Sequence, residues 1–240
     1  MDIARAFTFV MEDERWIVKV GMGAVVTLFS FLIFPIFLLL GYSVAVTRNV
    51  SQQKELPLPE WTEDIGKLFM DGFYVGVAQL AYTLPFWLIT CIAVVATVGL
   101  GAAGSGSETA ASVAAGVSTL TFVLLGCLSI LFVIALFFLS PAIIVQYVRT
   151  NEFAACFRIA EVIAIARENM GPILIVALVS FGASFAISLV TGFLQIIPCI
   201  GTIIGLVIGV MAGPYLSMSI GHLYGQIAAG INGKKMAGGY

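Results

Sequence analysis

The sequence predicts an all-α fold, a polytopic bundle of membrane helices, and three observations carry that prediction. Of 240 residues, 60% are hydrophobic and only 10% charged, against about 25% charged in ordinary soluble domains; mean hydropathy is +1.09. Four apolar runs are long enough to cross a bilayer, which takes about 20 mostly apolar residues. Small residues recur every fourth position along the last run: Gly201, Gly205, Gly209, Gly213, Ser217, Gly221 and Gly225. In a water-exposed helix each such glycine costs roughly 1 kcal/mol relative to alanine. In lipid, the same residues let a neighbouring helix approach backbone to backbone. A second row of the same period, Ser180, Ser184, Ser188 and Gly192, precedes it.

The N-terminal segment MDIARAFTFVMEDERW mixes acids and bases. It lacks the basic flank and apolar core of a cleavable signal peptide, so a membrane helix is expected to serve as the insertion signal. The next apolar stretch, 20–46, has Pro35 near its middle. Proline removes a backbone hydrogen bond and kinks or breaks a helix, so this stretch reads either as one kinked span or as a broken, re-entrant hairpin. The four certain spans are 73–101, 117–148, 171–195 and 200–229, with AAGSGSETAAS as a flexible polar loop between the first two. Basic residues collect in cytoplasmic loops. They fall in 48–67, in 149–167 and at Lys234 and Lys235, while the connections 102–116 and 196–199 hold none. This alternation places the C-terminus in the cytoplasm. A hairpin at 20–46 puts all eleven Lys and Arg on that same side, and the charge distribution therefore favours the hairpin.

Short amphipathic segments precede the apolar runs. In WTEDIGKLFMDG, Trp61, Ile65, Leu68, Phe69 and Gly72 share one helical face, with Glu63, Asp64, Lys67 and Asp71 elsewhere. Such a helix is expected to lie in the membrane interface, with Trp16 and Trp61 as interfacial anchors. The N-terminal segment and 151–170 look alike, Phe7 standing fourteen residues before Gly21 and Phe157 fourteen before Gly171. The chain is thus one integral membrane domain, 1–240, with a threefold repeat at 1–47, 48–148 and 149–233.

Chemistry is sparse. The span cores hold no Asp, Glu, Lys or Arg, the usual marks of ion or proton pathways. His222, the sole histidine, lies one turn from Gln226, with Tyr215 and Tyr224 nearby. These four form either a small polar pocket near the cytoplasmic end of the last helix or plain interhelical hydrogen bonds. No metal-ligand set, triad or phosphate loop is present, so no cofactor is expected and an enzyme is the least expected class. Cys91, Cys127, Cys156 and Cys199 have no metal spacing and read as apolar packing. Glu63, Asp64 and Asp71 read as a solvated helix face. A pI near 5.3 argues against nucleic acid as a partner.

Several motifs together resemble one family: GYSVAVTRNV at 41–50, LPLPEWTEDIGKLFMDG at 56–72, Tyr82 and Pro85 in the next span, FAACFRIAEVIAIARENMGPILI at 153–175 and GHLYGQ at 221–226. This pattern resembles the prokaryotic integral-membrane family called domain of unknown function 4013. The resemblance implies a polytopic membrane protein of a bacterial or archaeal inner membrane and supplies no activity or catalytic residue. That family usually has a second base after the Gly-Tyr pair. Here Ala45 leaves Arg48 alone, weakening any contact with lipid phosphate.

Three roles compete. The leading one is a structural or accessory membrane protein, in contact with membrane lipids and packing through its small-residue rows with itself or with other membrane proteins. The second is a transporter or channel for a neutral or amphiphilic solute. The third is a lipid-binding or membrane-shaping protein.

Overall fold

The computed structural model describes residues 1–103 and 106–237 and, among them, its regular structure is all helix, with eight α-helices. These are α1 Ile3–Glu12, α2 Trp16–Leu28, α3 Phe34–Ser51, α4 Ile65–Ala103, α5 Glu108–Thr150, α6 Ile159–Glu168, α7 Met170–Leu194 and α8 Ile200–Ala237. Five of them are long and apolar enough to cross a membrane: α3, α4, α5, α7 and α8.

The apolar stretch 20–46 is broken, not kinked. A 3₁₀ turn, Ser30–Leu32, separates α2 from α3, and Ile33 sits at φ 65°. Pro35 stands in the first turn of α3, where its missing N–H costs nothing; it starts a helix instead of bending one. The two helices fold back on each other. Lys19, in the first turn of α2, donates to Leu58 O (3.1 Å), while Asn49, near the end of α3, donates to Pro57 O (2.9 Å). Both open ends of the pair therefore meet the same connecting segment.

Two expectations for the middle of the chain are corrected. The segment 61–72 is not a separate interfacial helix: α4 runs unbroken from Ile65, its N-terminus capped by Asp64, whose Oδ1 accepts from Lys67 N (3.0 Å). The polar loop is also shorter than its composition suggests. Gly104 and Ser105 lie outside the described residues. Ser107 then caps α5, its Oγ accepting from Ala110 N at 3.2 Å, and the alanines that follow favour helix.

The chain divides into two compact units. In the smaller, Gln79–Ser140, the parts of α4 and α5 within it run antiparallel, joined by Gln79 Nε2 donating to Ser140 Oγ (2.7 Å) and by Phe86 stacked on Phe132. In the larger, Met1–Ala78 with Pro141–Tyr240, α3 is the central helix. It crosses α4 where Gly41 and Gly72 face each other, so closely that a Cβ on Gly72 would fall onto Phe37 O and one on Gly41 onto Leu68 O. On its other side α3 runs parallel to α8: Ser43 Oγ donates to Ser217 O (3.3 Å), Thr47 Oγ1 donates to Gly221 O (3.0 Å), and Gly225 packs on Val50. The hydrophobic core here is built on Phe9, Val20, Tyr42, Val46, Trp61 and Met218.

The α8 row is therefore used in pieces. Gly201 and Gly205 meet the end of α7, Gly221 and Gly225 meet α3, and Gly209 and Gly213 have no atom of the chain within reach of an added Cβ. On α7, Ser180 is half-buried and bonds its own helix at Val176 O (2.7 Å); Ser184, Ser188 and Gly192 are exposed.

Candidate functional site

The charged ends of α1 to α4 and the segment joining α3 to α4 enclose a cleft of about 770 Å³. Sequence patterning leaves its floor unforeseen. Lys19 is only 4% exposed, although a cation in this setting is costly to bury without partners. Its ammonium spends all three donors, on Asp13 Oδ2 (2.6 Å), Glu60 Oε1 (3.0 Å) and Leu58 O (3.1 Å). Burial pushes the Asp13 carboxyl up, but the Lys19 hydrogen bond, the Arg15 amide and the two neighbouring positive charges outweigh it. Asp13 is held below its usual range. The backbone of Lys19 is engaged as well, its carbonyl accepting from Trp61 Nε1 (2.9 Å).

Trp61 is thus a core residue. It stacks on Tyr42 at 4.3 Å between ring centroids, and Tyr42 Oη donates to Pro59 O (2.9 Å). An aromatic that satisfies its polar handle inside the protein has no need of the headgroup level. Trp16 is half-buried and packs against the same cluster.

The second half of the floor ties three helices together. Arg48 of α3 donates through Nη1 to Asp71 Oδ2 of α4 (2.6 Å), and Tyr147 of α5 donates through Oη to Asp71 Oδ1 (2.6 Å). The Arg48 guanidinium lies 5.9 Å from the Tyr147 ring centroid. Arg48 and Asp71 side chains are 12% and 8% exposed, and Arg48 Nε is buried without a hydrogen-bond partner. Asp71 is accordingly not part of a solvated face, whereas Glu63 and Asp64 are exposed. Arg48, committed to Asp71, is not a residue poised for lipid phosphate. One signal in the sequence locates Asp71: continued from Leu68 and Gly72 to Val75 and Ala78, the helical register puts Asp71 inside the buried arc.

The four residues grouped around His222 separate. Three of them dock α1 on α8. Tyr215 Oη donates to Phe7 O (2.6 Å), the His222 ring lies 4.4 Å from that of Phe9, and Gln226 pairs with both backbone groups of Asp2 (2.8 and 2.9 Å). The second Gln226 amide hydrogen goes to His222 Nδ1 (3.1 Å), which makes Nδ1 the acceptor and places the imidazole proton on Nε2. His222 and Gln226 also line a cleft of about 460 Å³; Tyr215 and Tyr224 do not. Tyr224 is half-buried and is not drawn into this seam.

A third cleft, of about 740 Å³, lies where α5, α6 and α8 meet, lined among others by Gln146, Glu161 and Asn232. Gln146 Nε2 donates to Glu161, and Arg149 Nε to Asn232 Oδ1 (3.3 Å). Cys156 is buried in the 3₁₀ turn before α6, and burial pushes its thiol up to about 11. Among the described residues no three of His, Cys, Asp and Glu converge in a way that could hold a metal ion.

What this arrangement does chemically is hold helices in place. Lys19 ties α2 to the segments on either side of the α2–α3 pair, through Asp13, Leu58 and Glu60, and Arg48, Asp71 and Tyr147 tie α3, α4 and α5 together. No curated protein and no solved structure matches the chain significantly. A family described as a protein of unknown function, DUF4013, matches residues 26–196, a stretch that holds Arg48, Asp71 and Tyr147 and ends before α8, and the chain belongs to that family.

Proposed function

We propose that this multi-pass membrane protein is a structural component of a prokaryotic inner membrane. It assembles with copies of itself or with another membrane protein through the small-residue faces its own helices leave open. One observation carries the reading: Ser184, Ser188 and Gly192 on α7, and Gly209 and Gly213 on α8, lie open, while the other glycines of the α8 row are consumed inside the chain. Small residues on a membrane helix favour close helix association. A non-enzymatic role is supported by the ionic floor, where Lys19, Asp13, Arg48 and Asp71 are engaged in ties that hold helices and their connections together. The basic ends of α3, α5 and α8 support a cytoplasmic C-terminus.

Native mass spectrometry of protein extracted together with its lipids tests the assembly. More than one copy, or a stoichiometric second membrane protein, is the expected result. A monodisperse lone monomer overturns it.

A further inference from the structure

Helices α1 and α6 are one device built twice. Each has ten residues, begins Ile-Ala and ends in Glu. Each buries its fourth, seventh and eighth residues: Ala6, Phe9 and Val10 in α1, Val162, Ile165 and Ala166 in α6. At about 100° per residue these three cover roughly 100° of the helix circumference. The positions next to that arc are apolar again, yet uncovered. In α6 they are Ile159 and Ile163, 58% and 41% exposed; in α1 they are Ile3, 39% exposed, and the half-buried Phe7, with Met11, 58% exposed, further round where α6 carries Arg167. The charges at matching places, Arg5 and Glu12 in α1 and Glu161 and Glu168 in α6, flank the other edge of the arc. The apolar sector of both helices is wider than the bundle covers. A helix that only had to pack on a protein would carry polar residues at those positions.

We propose that these surplus edges seat α1 and α6 in the boundary between headgroups and acyl chains of the bilayer, and that apolar area, not charge, holds them there. Lipid is the occupant because the α6 edge leads directly into lipid-facing surface. Only Asn169 separates α6 from α7, whose Met170, Leu174, Leu178 and Phe181 form an exposed apolar stripe at helical spacing on a membrane-spanning helix. Charge cannot be the attraction. Arg5 is set against Glu12, and Arg158 and Arg167 against Glu161 and Glu168, so neither helix offers the basic cluster that anionic lipid surfaces select. This inference is independent of the assembly reading: a lone monomer would still lie on lipid this way.

Site-directed spin labelling of the full chain in vesicles tests it. Cys91, Cys127 and Cys199 are replaced by Ser, and Cys156, fully buried, is left in place. Labels are introduced singly by Ile159→Cys, Ile163→Cys, Ala164→Cys and Glu168→Cys, and in α1 by Met11→Cys and Thr8→Cys. All these positions are exposed, so the fold is not at stake. In neutral phosphatidylcholine vesicles the labels at 159, 163 and 11 are expected to relax with oxygen and not with a water-soluble nickel chelate. Those at 164, 168 and 8 are expected to show the opposite. Added anionic lipid or high salt should change neither pattern. Labels at 159 and 163 as accessible to the chelate as the one at 168, labels shielded from both reagents by a protein partner, or seating that requires anionic lipid would each overturn the proposal.

Discussion

At the scale of single residues, the Arg48–Asp71 pair carries a consequence that its surroundings make measurable. Taking two charges out of water costs several kcal/mol, and mutual attraction returns this only while both partners are present. Asp71→Ala would strand the Arg48 guanidinium and leave the Tyr147 hydroxyl without its acceptor. The expected loss of unfolding stability in detergent micelles is about 3–5 kcal/mol, the usual cost of breaking a buried pair from one side. The double variant Arg48→Met/Asp71→Leu removes both charges and fills the space with apolar atoms. It is expected to be more stable than Asp71→Ala alone, a non-additivity typical of groups in direct contact. If the double variant loses at least as much as the sum of its single changes, the pair is not acting as a coupled ionic tie.

The elements obey rules that sequence pattern reads well and exceptions it reads poorly. Apolar length located α4, α5, α7 and α8, because a long run of lipid-compatible residues has few other structures open to it. The breaks are less legible, since they sit on residues with no turn signature. Ile33 before α3 and Cys199 before α8 both adopt φ near 65°, a conformation unusual for side chains branched at Cβ such as Ile33. Glycine spacing flagged α8 but not which glycines matter within the chain, since that depends on the partner helix. Gly41 and Gly72, outside both small-residue rows, bring α3 and α4 into backbone contact. The contrast is testable by substitution. Gly72→Ala would drive a Cβ into the Phe37 carbonyl, and overpacking of this kind costs about 1–3 kcal/mol or more. Gly209→Ala meets open space and should leave monomer stability within about 1 kcal/mol. Chemical unfolding of both variants in the same detergent separates the cases, and equal losses would mean that α3 and α4 do not cross at these glycines.

For the whole molecule, fold class was legible and the ionic floor was not, and both follow from what composition records. Hydropathy reports the solvent of a segment and says nothing of which charges at its ends meet. Lys19, flanked by Ile17, Val18 and Val20, reads as a boundary residue until Asp13 and two acceptors from a distant segment, Leu58 O and Glu60, close around it. Docking of α1 has the same character, since Asp2 and Gln226 are 224 positions apart. That long-range pair carries the last prediction. Gln226 holds both backbone groups of Asp2, and Tyr215 holds Phe7 O, so the N-terminus lies beside the C-terminal part of α8 and is expected to share its side of the membrane. The path from α1 to α4 would then return to the side it left. The α2–α3 pair does this if it enters and leaves by one face, and α2 suits such a turn: its 13 residues rise about 20 Å, short of a hydrocarbon core of about 30 Å. Single cysteines at Asp2→Cys and Gly230→Cys, in a background cleared of Cys91, Cys127 and Cys199, are therefore expected to react with an impermeant maleimide from the same side. Both should be protected in intact cells and open in inverted vesicles. Reaction of position 2 in intact cells with protection of position 230 would mean that α2–α3 crosses the bilayer once and that the Asp2–Gln226 clamp does not form in the membrane.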